Sequence, residues 1–503
     1  MLLITPADSH DYRLISNVHP PEWRNPQPSG RYNLAVIGAG TAGLVSAAAA
    51  AGLGAKVALI ERELMGGDCL NFGCVPSKAL LRAARAFTDA THASDYGVVV
   101  PPRAAVDFAA VMERMRRLRV ELSEKDSASR FQSLGVDVFI GEGRFAGPDS
   151  IEVGGQTLRF RRAIIATGSR AAVLPIHGLA ETGFLTNESI FSLTALPRRL
   201  VVIGGGPLGC ELAQAFCRFG SQVTLLEVEP SILPREDADA AQIVKNALVR
   251  DGIEIIENCR IQSAHAAENE KIIKLQWADG CREIAFDEML VAAGRAPAVD
   301  GLGLEAAGVE YDRRTGIKVD DYLRTSNGRI FAAGDVCSAY KFTHVADAMA
   351  RIVVRNALFY GRERVSALIM PWCTYTDPEI AHVGVYEHEA HRRKLAVQTF
   401  VQPLREVDRA VLDGEAEGFL KVQVRQGSDQ IIGATLVARH AGEMISELTL
   451  AIAGRIGLTT IARTIHPYPT QAEAIRKVAD AYNRTRLTSR VNWLLHKWFA
   501  WIR

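Results

Sequence analysis

The chain runs to 503 residues, more than one hydrophobic core fills, so about two to four domains are expected. Its 48% hydrophobic and 23% charged residues are those of a globular protein, and a formal net charge of +1 offers no basic field to a nucleic acid. Eight scattered cysteines make no secreted disulfide framework, no apolar run reaches the ~18 residues of a membrane span, and the start at Met1 lacks a signal-peptide pattern, so a cytoplasmic protein is expected.

Residues 1–30 hold Pro6, Pro20, Pro21, Pro26 and Pro28 among polar residues. They read as an extended arm, with Tyr12 and Trp23 placed to lie on the body of the protein. An apolar strand from Tyr32 then runs into Gly38, Gly40 and Gly43 and an alanine-rich helix. Gly38 permits the tight turn, Gly40 lets backbone approach a pyrophosphate, and Gly43 allows close packing of helix on strand. The helix N-terminus supplies an anion site. A second strand over 56–60 ends at Glu61, the acid placed to hydrogen-bond a ribose hydroxyl.

Residues 66–80 carry Cys69 and Cys74, five apart, between a glycine pair and an apolar helical run. A regular helix puts positions i and i+5 beyond disulfide reach. A bridge therefore needs a distorted first turn, which Gly73 and Pro76 allow. Such a bridge would be reducible and open to a partner, as a redox pair requires. Two unpaired cysteines packed as small hydrophobes are the alternative.

Two further apolar strands end in glycine: 162–169, through Thr167 and Gly168 to Ser169, and 288–297, through Gly294. Such ends are where the chain can cross from one nucleotide domain to another. Between them the fingerprint recurs. A strand from Leu200 leads to Gly204, Gly206 and Gly209, with Glu211 on the following helix, and a strand from Gln222 ends at Glu227. A carboxylate there binds a ribose 2′-hydroxyl and repels a 2′-phosphate, which favours NADH over NADPH. Another strand ends at Gly334 and Asp335, the latter also a candidate helix cap.

From about residue 365, short β-prone runs and helical stretches without a phosphate loop predict an α+β domain suited to association. Cys210 and Cys217 read as core, and His382, His388 and His391 as a solvated face rather than a metal site. The segment 489–503 gathers three of the six tryptophans among basic residues. An interfacial helix at a membrane, a docking site for a partner, or packing on the protein or its twofold mate are the readings it allows.

Taken together, residues 66–80, the two nucleotide fingerprints, Thr167-Gly168, the run 294–297 and Gly334-Asp335 resemble the class I pyridine nucleotide–disulfide oxidoreductases over about 31–485. The resemblance implies an α/β fold of two Rossmann-like domains plus a C-terminal α+β dimerisation domain, acting as a homodimer. The expected division is a 1–30 extension, an FAD domain over 31–169 and 297–364, and an NAD(H) domain over 170–296. A dimerisation domain over 365–488 and a tail over 489–503 complete it. It further implies that Gly38, Gly40, Gly43 and Glu61 hold the adenosine half of FAD, with Gly143 near the adenine and Lys78 near the flavin. Thr167, Gly168, Ser169 and Asp335 would complete that site, with His344 lining the pocket, while Gly204, Gly206, Gly209, Glu227 and Gly294 bind NAD(H). Glu211 would pair with Lys78. Cys74 would be the thiolate facing the flavin, and Cys69 the thiol that meets the acceptor.

One departure bears on the acceptor. Disulfide reductases carry a catalytic histidine in a His-x-His-Pro-Thr-x-x-Glu run. Here the run ends at Glu473, and that histidine's position is Tyr468, with His466 two residues earlier. Tyrosine, with an ordinary pKa of about 10, is a poor base at neutral pH. Mercuric reductases share the tyrosine, but this chain has no cysteine after Cys373, whereas they place a cysteine pair near the C-terminus. The expectation is a mercuric-reductase-like enzyme passing electrons from NADH through FAD and the Cys69–Cys74 pair to a metal ion or other small acceptor. The alternatives are a dihydrolipoamide dehydrogenase or another disulfide reductase, and a flavoprotein whose tail docks it on a membrane or partner.

Overall fold

The computed structural model describes residues 4–101, 104–267, 270–277 and 280–503, which form two compact units. The first comprises Met1–Val228 and Glu254–Leu368, the second Glu229–Ile253 and Ile369–Arg503.

The first unit opens on a helix where an extended arm was expected. α1 (Ser9–Val18) is capped by the Asp8 carboxylate, which accepts from the N–H groups of His10 and Asp11, and Asp11 returns the bond to the cap backbone. Leu14 and Val18, one turn apart, bury themselves completely. The prolines lie outside the helix. The arm lies on the body as Tyr12 and Trp23 suggested only in part: Trp23 Nε1 donates to Val138 O (3.1 Å), while Tyr12, on α1, is exposed.

Strands covered on both faces need unbroken apolar runs, and β1 (Arg31–Ile37) and β2 (Val57–Glu61) have them. They pair in parallel, with β3 (Val136–Ile140) beyond β2 and Gln156–Ile165 on the other side of β1. Ile330–Ala332 joins that strand in parallel, and Arg144–Gly147 and Ser150–Val153 extend the sheet as an antiparallel meander. α2 (Thr41–Gly52) follows β1, and Gly43 lets it lie on the strand: a Cβ there would fall 1.8 Å from Gly38 O. The second nucleotide fold repeats this. Its four parallel strands run in the order Glu254–Ile256, Gln222–Leu226, Arg199–Ile203, Glu288–Val291, and a Cβ on Gly209 would meet Gly204 O at 1.9 Å. The two crossings between the sheets lie side by side as paired strands, Ser169–Ala171 against Arg295–Pro297.

The second unit is built on a five-stranded antiparallel sheet with helices Ala441–Ala453 and Glu473–Thr485 supplying core residues such as Ile445, Leu448, Ile475 and Val478. Helix Ala238–Arg250 belongs to it, tied by Lys421 Nζ to Asp237 (2.9 Å) and Asp239 (2.7 Å). His382 departs from the expected solvated face. It sits wholly buried on strand Glu379–Gly384, its Nδ1 2.8 Å from Thr435 Oγ1 and its ring stacked on Tyr386, and burial holds the imidazole down to about 3 and hence neutral. Glu379 to Val383 are all buried, so the strand is covered on both faces and His382 has no solvated side, whereas His388 and His391 stand exposed. Cys210 is core as expected, and Cys217 is half-buried.

No described helix is long and apolar enough to cross a membrane.

Candidate active site

The two cysteines straddle a helix break. α3 (Gly67–Asn71) stops at Phe72, and α4 (Cys74–Thr91) starts at Cys74, with Gly73 between them at φ −134°, ψ −111°. The distorted turn expected from Gly73 is thus a complete interruption. Cys69 stands midway along α3 and Cys74 leads α4, and both are free thiols. The α4 N-terminus has no side-chain cap, so its N–H groups and dipole favour a negative sulfur.

The pair is electrically asymmetric. The hydrogen bond Cys74 receives from Cys69 is the largest influence holding its thiol down to about 6; Thr343 and Lys78 add to it against the opposing effect of burial. The same bond, together with burial, pushes Cys69 up. Cys74 Sγ lies 3.3 Å from Thr343 Oγ1, a partner the sequence reading did not single out. Lys78, one turn along α4, reaches Glu211 Oε2 at 2.8 Å on helix Pro207–Phe219. Glu211 is nearly buried and Lys78 about a third exposed, so the pair couples the cysteine helix to the helix of the second glycine loop.

Both glycine loops suit a dinucleotide. The helices that begin after Gly40 and Gly206 have no side-chain cap hydrogen bond, so their first N–H groups can serve a pyrophosphate. A Cβ at Gly206 would meet nothing within 4 Å, which marks space where a phosphate can approach backbone. At each strand-end acid a carboxylate turns back to its loop: Glu61 Oε2 accepts from Ala39 N and Glu227 Oε2 from Gly205 N, both at 2.6 Å. Burial pushes the Glu61 carboxyl up. Gly143 packs beside Ile60, at the end of β2. These residues fit FAD on the first fold and NAD(P)H on the second.

Where the crossings meet, Ser169 Oγ donates to Asp335 Oδ2 (2.6 Å) and accepts from Arg295 Nε (2.8 Å). Arg295 also pairs with Asp68 (3.0 Å), whose other oxygen accepts from Asn187 (2.8 Å). Asp68 adjoins Cys69, so this network holds the cysteine segment against the crossing. Asn187 and the roles of Asp68 and Arg295 went unread; the only hint was that Arg295 follows Gly294 in a recognisable run. Thr167 Oγ1 donates to Ala298 O (2.7 Å), Gly168 and Gly294 line the same crossing, and His344 is exposed, its ring stacked on Phe342.

Tyr468 and Glu473 stand in the second unit. Tyr468 is exposed and its hydroxyl donates to Asp408 Oδ2 (3.0 Å), which holds the phenol up. Glu473 is buried; one oxygen takes Arg476 (2.8 Å) and Oε2 has no hydrogen-bond partner among the described residues. His466 is committed elsewhere, its ring buried and its Nε2 2.9 Å from Glu447.

Residues 32–350 match the pyridine nucleotide-disulphide oxidoreductase family, and 370–479 match the dimerisation domain of the same family. The chain is 33% identical to a mercuric reductase of Bacillus cereus over 95% of its own length and 76% of the relative's. It is 34% identical to a dihydrolipoyl dehydrogenase of Thermus scotoductus over 90% and 98%. Among solved structures it resembles the Cu(II) complex of the HOCl-induced flavoprotein disulfide reductase RclA from Escherichia coli, with a TM-score of 0.79 and 28% identity over 88% of this chain and 99% of that one.

Proposed function

We propose, since the chain belongs to the pyridine nucleotide-disulphide oxidoreductase family and is a flavoprotein enzyme of FAD and NAD(P)H, that it oxidises NADH in the cytoplasm and delivers the electrons to a soft metal ion or another small acceptor. The observation that carries this reading is the pairing of an acidic thiol at Cys74 with Tyr468 where a thiol-exchange enzyme needs a histidine. The dimerisation domain supports a homodimer.

Bound FAD would take a hydride from the nicotinamide and pass two electrons on. The chain's own residues do the rest. Glu227 selects the 2′-hydroxyl of NADH, and the Lys78–Glu211 pair fixes α4 beside the nicotinamide side of the site. Cys74, kept as a thiolate by Cys69, Thr343, Lys78 and the helix end, is the sulfur that exchanges electrons with the flavin. Cys69 keeps its proton until the acceptor arrives, and releases it to water as its sulfur binds the metal ion. A metal ion bound by thiolates needs no proton shuttle, and the phenol of Tyr468 supplies none at neutral pH.

Anaerobic NADH should raise a long-wavelength thiolate-to-flavin band in the holoenzyme, and Cys74→Ser should abolish it; a wild-type protein without the band would refute the relay. The acceptor is read from NADH oxidation with Hg(II), Cu(II), quinones and disulfides, in wild type and Tyr468→His. Turnover with metal ions above that with dihydrolipoamide is expected, with Tyr468→His gaining disulfide activity by about 10²-fold or more. Robust wild-type turnover of dihydrolipoamide would reverse the assignment.

A further inference from the structure

Helix Ser489–Trp501 presents a surface that folding leaves uncovered. Every residue from Arg484 to Arg503 is exposed. Trp501 keeps 76% of its surface in water and Trp493, Leu494 and Trp498 each more than half. The expectation that these rings pack on the chain itself is therefore not met.

The exposed residues are sorted by face. At 100° per residue, Leu494, Leu495, Trp498, Phe499, Trp501 and Ile502 fall within one arc of about 160°. Arg490 and Lys497 border one edge of the arc and Arg503 lies near the other. Trp493, on the polar side, lies under Lys497 Nζ at 5.7 Å. Charge is one-sided: from Ala481 to Arg503 the sequence has Arg484, Arg486, Arg490, Lys497 and Arg503 and no aspartate or glutamate.

An indole-bearing apolar face edged by cations, with no acidic residue over 481–503, has the chemistry of a helix lying in a membrane interface. Indole rings settle at headgroup depth, and arginine and lysine reach past them to lipid phosphates. The helix is about 20 Å long at 1.5 Å per residue, against a hydrocarbon core of about 30 Å, so it lies on the bilayer rather than across it. Thr488 caps its start by accepting from Val491 N, so little order remains to be gained on docking. A second copy could also cover the apolar arc, but two such segments would meet with cations on both sides and no anion to offset them.

We propose that residues 484–503 are an amphipathic anchor that docks the enzyme on an anionic bilayer surface. The test is co-sedimentation of the FAD-loaded, full-length protein with vesicles of phosphatidylcholine alone or with added phosphatidylglycerol. Binding is expected only to the anionic vesicles, with release by about 0.5 M salt. Replacing Arg490 and Lys497 by serine should weaken it about 25-fold, at about fivefold per cation. Trp498→Gln with Phe499→Gln should abolish it, while a chain ending at Leu487 should stay in the supernatant with unchanged FAD content and NADH oxidation. Equal soluble fractions for the full and shortened chains would overturn the proposal. So would a shortened chain that elutes at half the mass of the full one, since a second copy would then be what covers the arc.

Discussion

Asp11→Ala tests what the N-terminal arm does for the cysteine segment. Arg119 on α5 (Phe108–Ser123) pairs with Asp11 at 2.8 Å, with side chains 3% and 1% exposed, and its other nitrogen donates to Asn71 O at the end of α3 (3.1 Å). Arg119 Nε has no partner among the described residues, so Asp11 is the one carboxylate bonded to this buried cation. Breaking a buried pair from one side costs about 3–5 kcal/mol, and losing the Asp11 half of the α1 cap adds about 1 kcal/mol. At 1.36 kcal/mol per decade, that sum of about 4–6 kcal/mol is roughly a 10³- to 10⁴-fold loss of hydrogen-exchange protection for the α1 amides when the arm opens locally. Exchange mass spectrometry on peptides covering 9–18 reads this directly. The double variant Asp11→Leu with Arg119→Met shares the lost cap bonds from Ala7 N and Asp8 N but leaves no buried unpaired cation, only Asn71 O short of its Arg119 donor, so it should lose less than Asp11→Ala alone. Protection within tenfold of wild type in Asp11→Ala, or a double variant worse than the single, would refute the argument.

Alkylation of Cys74 in the reduced protein should rise about tenfold from pH 5 to 7 and then level off, because the thiolate predominates above about 6 and is lost as pH falls through it; a rate still climbing between pH 8 and 9 would show an ordinary thiol. Lys78→Met removes a cation that lowers Cys74 and leaves Glu211 to raise it, so the midpoint of that curve should move up by about one pH unit. Gly206→Ala should fold and load FAD normally yet raise KM for NADH at least about tenfold, since its methyl enters the space a pyrophosphate needs. Gly209→Ala, whose Cβ would sit 1.9 Å from Gly204 O, should instead lower the Tm.

The nucleotide folds were legible because their requirements are local. A glycine spaced for a tight turn, a second for phosphate approach and an acid at the next strand end must be near in sequence, and β1, α2 and β2 lie where that spacing put them. The cysteine pair was legible for the same reason: Gly73 and Pro76 announce an interrupted helix whatever packs around it. His382 and the arm were misjudged because burial is not local. A polar neighbourhood in sequence said nothing of whether both faces of strand Glu379–Gly384 would be covered, and the proline count masked a ten-residue helix held by the Asp8–Asp11 capping box.

By itself, then, the sequence determined the two phosphate loops, the redox pair and the substitution of tyrosine at 468, since each is a matter of residue type and spacing. The tertiary structure decided which thiol is acidic. Thr343 lies 269 residues from Cys74 and Glu211 lies 133 from Lys78, and a pKa depends on charges and donors within a few ångströms rather than on neighbours along the chain. It also decided that the tryptophan helix stays uncovered, because exposure is settled only when every other apolar face has found its partner.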